Sequence, residues 1–247
     1  TLRDLNDPAV LSSNLISLQS WRAAGNQTYL ITGRTHAALG EILPDWASYF
    51  DYVATDNGGA IFDCSDHLLT SFPFNASVVE SILAIIPKEV LPVFYYPHEH
   101  GIDRLSGQNP IKIRLWFHTL VELWSEHHFL LASFTEVKSL PWPKPGFSQL
   151  PGVDITQYQG FIDLVPKTSG KENAITNLSI FASTANPKIQ FTYPNIITVG
   201  DDYNDVAMLE SFESYAIATA PPEVIRAASG RTVHSVSELI SLKMSQV

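Results

Sequence analysis

The sequence predicts an α/β fold: a Rossmann-like, mostly parallel three-layer core into which an α+β unit is inserted. Short apolar segments alternate with amphipathic helical ones near both ends of the 247-residue chain, the pattern of a largely parallel sheet covered by helices. The texture changes after about Cys64, where prolines and aromatic residues become frequent, and the earlier alternation resumes near Gly160. Apolar residues make up 45% of the chain and Lys, Arg, Asp and Glu 16%, so the chain has the apolar content to bury a core and is not disordered. One insertion explains these features better than two tandem domains. Residues 1–63 and 160–247 then form the discontinuous core, and residues 64–159 the inserted unit.

The elements follow in order. Val10, Leu11, Leu15, Leu18 and Trp21 recur at spacings near three and four, which predicts a helix from Ala9 to Ala24, closed by Gly25. Thr28–Ile31 reads as a short strand, His36–Leu43 as a helix and Tyr52–Thr55 as the next strand. A turn at Asn57-Gly58-Gly59 leads into Ala60–Phe62. In the insertion, Ser77–Ile85 is helical and stopped by Pro87. Lys112–Phe117 alternates and runs into a helix to about Glu126, and His128–Phe134 is strand-like. Pro141, Pro143 and Pro145 make a stiff loop. Tyr95, Tyr96, Trp116, Trp124, Trp142 and Phe147 form either a small core or the wall of a pocket. Strands at Phe161–Val165, Asn195–Val199 and Tyr215–Ala218 then alternate with helices at Glu172–Phe181, Pro221–Ala228 and Ser237–Leu242.

A formal charge of -10 without an offsetting Lys/Arg cluster argues against a nucleic-acid partner. It would repel a phosphorylated metabolite too, unless a divalent cation and a few placed basic groups received it. No apolar run reaches membrane-spanning length, and the charged residues after Leu2 fit no signal peptide. Cys64, the single cysteine, can form no internal disulfide or multi-cysteine zinc site, which points to a reducing, cytoplasmic setting. It reads as a small buried apolar group. The histidines lack zinc-site spacing and read as structural or surface groups. Nothing in the sequence separates a monomer from a small homo-oligomer.

The strongest chemical signal is Gly200-Asp201-Asp202-Tyr203-Asn204-Asp205 after an apolar strand. Open α/β sheets place their sites beyond the carboxyl ends of the strands. Carboxylates crowded there raise one another's proton affinity, a cost that a hard cation removes, and oxygen ligands suit magnesium. The alternative is an acidic surface turn or helix cap. Thr32-Gly33-Arg34 ends another strand, where a hydroxyl can donate to a phosphate oxygen and glycine lets the backbone come close. Lys171 stands where a loop meets a helix, placed to neutralise a transferring phosphoryl group. Each of the last two is weak alone, and their order along one sheet strengthens all three.

Taken together, Ile31-Thr32-Gly33-Arg34, Asp56-Asn57-Gly58-Gly59-Ala60, Lys171-Glu172-Asn173-Ala174-Ile175 and Gly200–Asp205 with Met208 resemble the haloacid dehalogenase-like superfamily. The similarity is to its phosphatases with a type IIB α/β cap, of the Cof, sucrose-phosphatase and trehalose-phosphatase kind. It implies that Thr32 binds the phosphoryl group and that Lys171 steadies phosphate and nucleophile. It also implies that Asp201 ligates magnesium, with Asn204 and Asp205 coordinating or orienting the metal, its waters and the lysine. Gly33, Arg34 and Asn57 would border the substrate. The implied activity is magnesium-dependent hydrolysis of a phosphate monoester, first of all a sugar phosphate, through an aspartyl-phosphate. A phosphomutase of the same cap class and a non-catalytic phospholigand-binding member are the alternatives. The family's first motif, Asp-x-Asp-Gly-Thr-Leu, is represented only by what resembles its tail, Thr1-Leu2. The resemblance therefore implies a preceding strand bearing both catalytic carboxylates.

Overall fold

The computed structural model describes residues 1–2, 7–86, 90–97, 100–101, 109–116, 118–119, 135–136, 150–158, 161–186 and 195–246. The predicted helix running to about Glu126, the strand His128–Phe134, the Pro141–Pro145 loop and the side chains of Trp116, Trp124, Trp142 and Phe147 lie outside them.

Helix α1 (Pro8–Ala23) starts where Asp7 accepts the Ala9 amide at 3.0 Å, with Pro8 in the first turn. Strand β1 (Tyr29–Ile31) runs parallel to β2 (Tyr52–Thr55), with α2 (His36–Ile42) between them, capped by the Thr35 hydroxyl. From β2 the chain turns through residues 56–59 into antiparallel β3 (Ala60–Asp63) and then β4 (Leu68–Ser71), giving a sheet ordered β1-β2-β3-β4. Cys64 lies exposed in the β3–β4 turn. The expectation of a buried thiol fails because the hairpin must turn to solvent there.

Helix α3 (Ala76–Ile85) leads to a second sheet. It contains β5 (Leu91–Tyr95), β6 (His100–Gly101), β7 (Lys112–Trp116), β10 (Val153–Tyr158) and β11 (Phe161–Pro166), in the order β10-β11-β7-β5-β6 and all antiparallel. Strands β8 (His118–Thr119) and β9 (Thr135–Glu136) pair separately. Phe74, Ile82, Val90, Phe94, Ile113, Leu115, Ile162 and Leu164 form this sheet's own core. Burying each such side chain contributes about 1.5–3 kcal/mol. Strand β4 pairs with the first sheet and β11 with the second. The expected strand Phe161–Val165 forms, but as part of this antiparallel sheet, because an apolar strand interrupted only by Asp163 fits either setting.

After β11, helix α4 (Lys171–Ala185) returns the chain to the core. A parallel sheet follows, β12 (Ile197–Gly200), β13 (Glu213–Ile217) and β14 (Thr232–Val233), with α5 (Val206–Ser211), α6 (Pro222–Ala227) and α7 (Val236–Met244) between or after its strands. Helices α1 and α7 pack together. The fully buried Asn14 is satisfied at their contact, donating to the Leu2 carbonyl at 2.9 Å and accepting the Ser237 amide at 2.8 Å. Strands β1 and β12 are the outer strands of their sheets, and both line a single cavity of about 470 Å³ together with Leu18, Val236 and Ile240. No helix of the described residues is long and apolar enough to cross a membrane.

Candidate active site

Backbone bonds set the end of β1. The Thr32 amide donates to Ala54, while the Thr32 and Arg34 carbonyls accept from Asn57 and Asp56, each at 2.9 Å. The turn at 32–34 is thus stitched to the end of β2. Thr32 Oγ1 accepts the Arg34 amide at 3.1 Å, which leaves the hydroxyl hydrogen for a ligand. After β2, Asp56, Asn57 and Gly58 are consecutively left-handed, with φ of 54°, 57° and 89°. This is a conformation that Asp and Asn tolerate better than most residues. It turns Asn57 inward, where Oδ1 accepts from Asn204 Nδ2 at 2.9 Å and the Asn57 carbonyl accepts the Gly170 amide at 2.8 Å.

The third strand end carries the charges. Lys171, in the first turn of α4, is buried and donates to Asp205 Oδ1 at 2.7 Å. Asp205 Oδ2 accepts the Asp201 and Asp202 amides at 3.0 and 3.1 Å. Both oxygens of Asp205 are therefore engaged in holding the lysine and shaping the turn. Asp202 caps the short 3₁₀ turn Tyr203–Asp205 by accepting the Tyr203 amide at 2.7 Å. Asp201 keeps its side chain 42% exposed, and Thr1 lies against it. Burial raises the Asp201 carboxyl, and the charge of Lys171 opposes that rise.

The predicted residues accordingly converge. A Cβ on Gly33 would stand 2.9 Å from Asn57 Oδ1 and 3.3 Å from Asn204 Nδ2, so three strand ends meet at van der Waals distance. Among the described residues no group of three acidic, histidine or cysteine side chains could enclose a metal. Asp201, half open and not engaged by Lys171, is the carboxylate of the turn whose oxygen chemistry suits a hard cation.

Beside this cluster lies a second cavity of about 480 Å³, lined by Thr32, Arg34, Tyr95, Lys112, Arg114 and Asp163 among others. Arg34 is exposed at its edge. Arg114 binds Asp163 through Nε and Nη2 at 2.7 and 2.9 Å, a two-point carboxylate grip across β7 and β11. Of the aromatics left open between core and pocket, Tyr95 is pocket wall and Tyr96 is core. Sequence reasoning passed over Lys112, Arg114 and Asp163. The alternation Lys112-Ile113-Arg114 puts both cations on one strand face, but nothing in it says what that face meets.

Gly200 is a direct test of the Asp205 arrangement. A Cβ there would lie 2.6 Å from Asp205 Cβ and 2.7 Å from Cγ. Gly200→Ala is expected to displace the carboxylate that orients Lys171, weakening phosphate-analogue binding by roughly tenfold. Tungstate titration beside a urea unfolding curve checks that binding falls more than the fold suffers.

Residues 148–238 match the family model described as haloacid dehalogenase-like hydrolase. The chain has the haloacid dehalogenase-like fold. It superposes with a TM-score of 0.73 on a haloalkanoate (HAD) superfamily phosphatase of Bacteroides thetaiotaomicron, at 17% identity over 99% of this chain and 91% of that one. A HAD subclass IIB sugar phosphatase gives 0.70 at 19% identity, covering 95% and 90% of the two chains. A HAD/COF-like hydrolase of Plasmodium vivax gives 0.68 at 16% identity, covering 96% and 89%. No curated protein matches the sequence. Within the haloacid dehalogenase-like fold of this chain, Thr32, Asn57, Lys171 and Asp201 thus sit at the ends of β1, β2 and β12 and the start of α4.

Proposed function

We propose that this chain acts in magnesium-dependent hydrolysis of a phosphate monoester, with a sugar phosphate as the first candidate substrate. One observation carries the reading. A buried lysine fixed by Asp205 stands in the same cluster as a free hydroxyl hydrogen on Thr32 and a half-open Asp201. In this reading the Thr32 hydroxyl donates to a phosphoryl oxygen and Lys171 offsets the negative charge of phosphate and attacking carboxylate. Asp205 keeps the ammonium aimed, and Asn204, braced by Asn57, keeps the acidic turn in place. Asp201, with Asn204, would hold magnesium, which when bound supplies charge neutralisation at the phosphoryl group.

The attacking carboxylate is assigned to a further strand between β1 and β12. Both are outer strands, both face one cavity, and an extra strand there would join the two sheets. Nucleophilic attack divides the displacement into two easier steps, with an aspartyl-phosphate between them. The inserted sheet covers the site as a cap, and the polar cavity bounded by Arg34, Tyr95, Arg114 and Asp163 suits the hydroxyls of a sugar leaving group. The subclass IIB sugar phosphatase of the same fold supports that choice of substrate.

Phosphate release from a panel of sugar monophosphates by the natural protein, with and without magnesium, tests the proposal. Magnesium-dependent release is expected, falling roughly 10²–10³-fold in Lys171→Ala. Phosphate binding without turnover would support a binding protein instead, and phosphoryl movement on the sugar without release would support a mutase.

A further inference from the structure

Lys112 has no part in the chemistry above, yet it is 1% exposed and reaches out of the inserted sheet into the core. It stands at the start of β7, which is paired on both sides by β5 and β11, so its backbone is firmly held. Its Nζ donates to the Gly33 carbonyl at 2.9 Å and lies 2.9 Å from Asp56 Oδ1 and 4.4 Å from the centre of the Tyr95 ring. The Asp56 contact is ionic and off the hydrogen-bond line, since neither Asp56 oxygen receives a hydrogen bond of normal geometry among the described residues. The directed bond goes to Gly33.

We propose that Lys112 is a positioning residue, pinning the Gly33 carbonyl so that the Thr32–Arg34 turn keeps the conformation that faces the phosphoryl group. The carbonyls on either side, Thr32 and Arg34, are already held by backbone amides. The Gly33–Arg34 peptide lies beside a glycine and is the group with most freedom to rotate. Were it to turn over, a carbonyl dipole would point at the phosphoryl oxygens, and the Arg34 amide would leave Thr32 Oγ1. The ammonium prevents this, and because it belongs to the inserted sheet, the turn is set only while that sheet is seated. The role assigned to the turn rests on the phosphatase reading, whereas the pin itself does not.

The test compares Asp56→Asn with the double variant Lys112→Met/Asp56→Asn, which differ only at Lys112 and leave no unpaired buried carboxylate. Amide hydrogen exchange is followed at Arg34 and Asn57, and orthophosphate affinity is measured by ³¹P titration in magnesium. The double variant is expected to exchange roughly tenfold faster at both amides and to bind orthophosphate roughly tenfold more weakly than Asp56→Asn. Equal exchange in the two variants would overturn the pin. Faster exchange with no orthophosphate binding by any form, wild type included, upholds the pin and counts against the phosphatase reading instead.

Discussion

Replacing Lys112 alone by methionine is expected to lower the unfolding free energy by about 3–5 kcal/mol at neutral pH, the cost of breaking a buried ion pair from one side. Asp56 is fully buried, and Lys112 is its ionic partner at 2.9 Å. Burial already raises the Asp56 carboxyl above its ordinary 3.8, against the pull of Lys112. A folded-state value above the unfolded one means that the native protein takes up the extra proton. Stability from this group is therefore complete below the unfolded value and is lost as pH rises through the folded value. Removing the ammonium raises the folded value further. The deficit of Lys112→Met is thus small below about pH 4 and reaches its full size toward neutrality. Urea unfolding at pH 4 and pH 7 checks both size and sign. Adding Asp56→Asn should recover most of the neutral-pH loss, because a neutral amide needs no counter-charge. A pH-independent deficit would mean that packing, not charge, is what Lys112 supplies.

Gly58→Ala is expected to cost about 3 kcal/mol or more, by strain and overlap together. Gly58 has φ +89°, and a Cβ there would stand 2.6 Å from the Gly170 carbonyl oxygen and 3.1 Å from Ala174 Cβ. Neither obstacle can swing away, since one is backbone and the other sits in α4. Gly25 supplies the control: its φ is +88°, nearly identical, but nothing lies within 4 Å of its Cβ position. Gly25→Ala should therefore cost only the left-handed penalty, about 1–2 kcal/mol. The difference between the two unfolding curves isolates the overlap. Because the obstructing carbonyl precedes Lys171, Gly58→Ala should also weaken phosphate-analogue binding, which Gly25→Ala should leave as it is.

The sequence by itself determined the elements whose periodicity is local. The helices at Pro8–Ala23, His36–Ile42 and Ala76–Ile85 and the strands at Tyr29–Ile31 and Tyr52–Thr55 lie where apolar spacing places them. It also singled out Thr32, Lys171 and Asp201, because each stands at the end of a strand or the start of a helix, while Asn57 came from the family resemblance. Short strands with weak patterns, Leu68–Ser71, Leu91–Tyr95 and Val153–Tyr158, were not legible, since their apolar faces make sense only against a partner. Only the tertiary structure decided that Phe161–Pro166 joins the inserted sheet, that Asp205 spends both oxygens on Lys171 and the turn amides, and that Lys112 reaches Gly33 across 79 positions of sequence. The physical reason is one of range. Helix periodicity, turn chemistry and strand-end position act between near neighbours and are written in the order of residues. Strand pairing and buried charge contacts join segments far apart, and which of them meet is fixed only when the sheets have closed on one another.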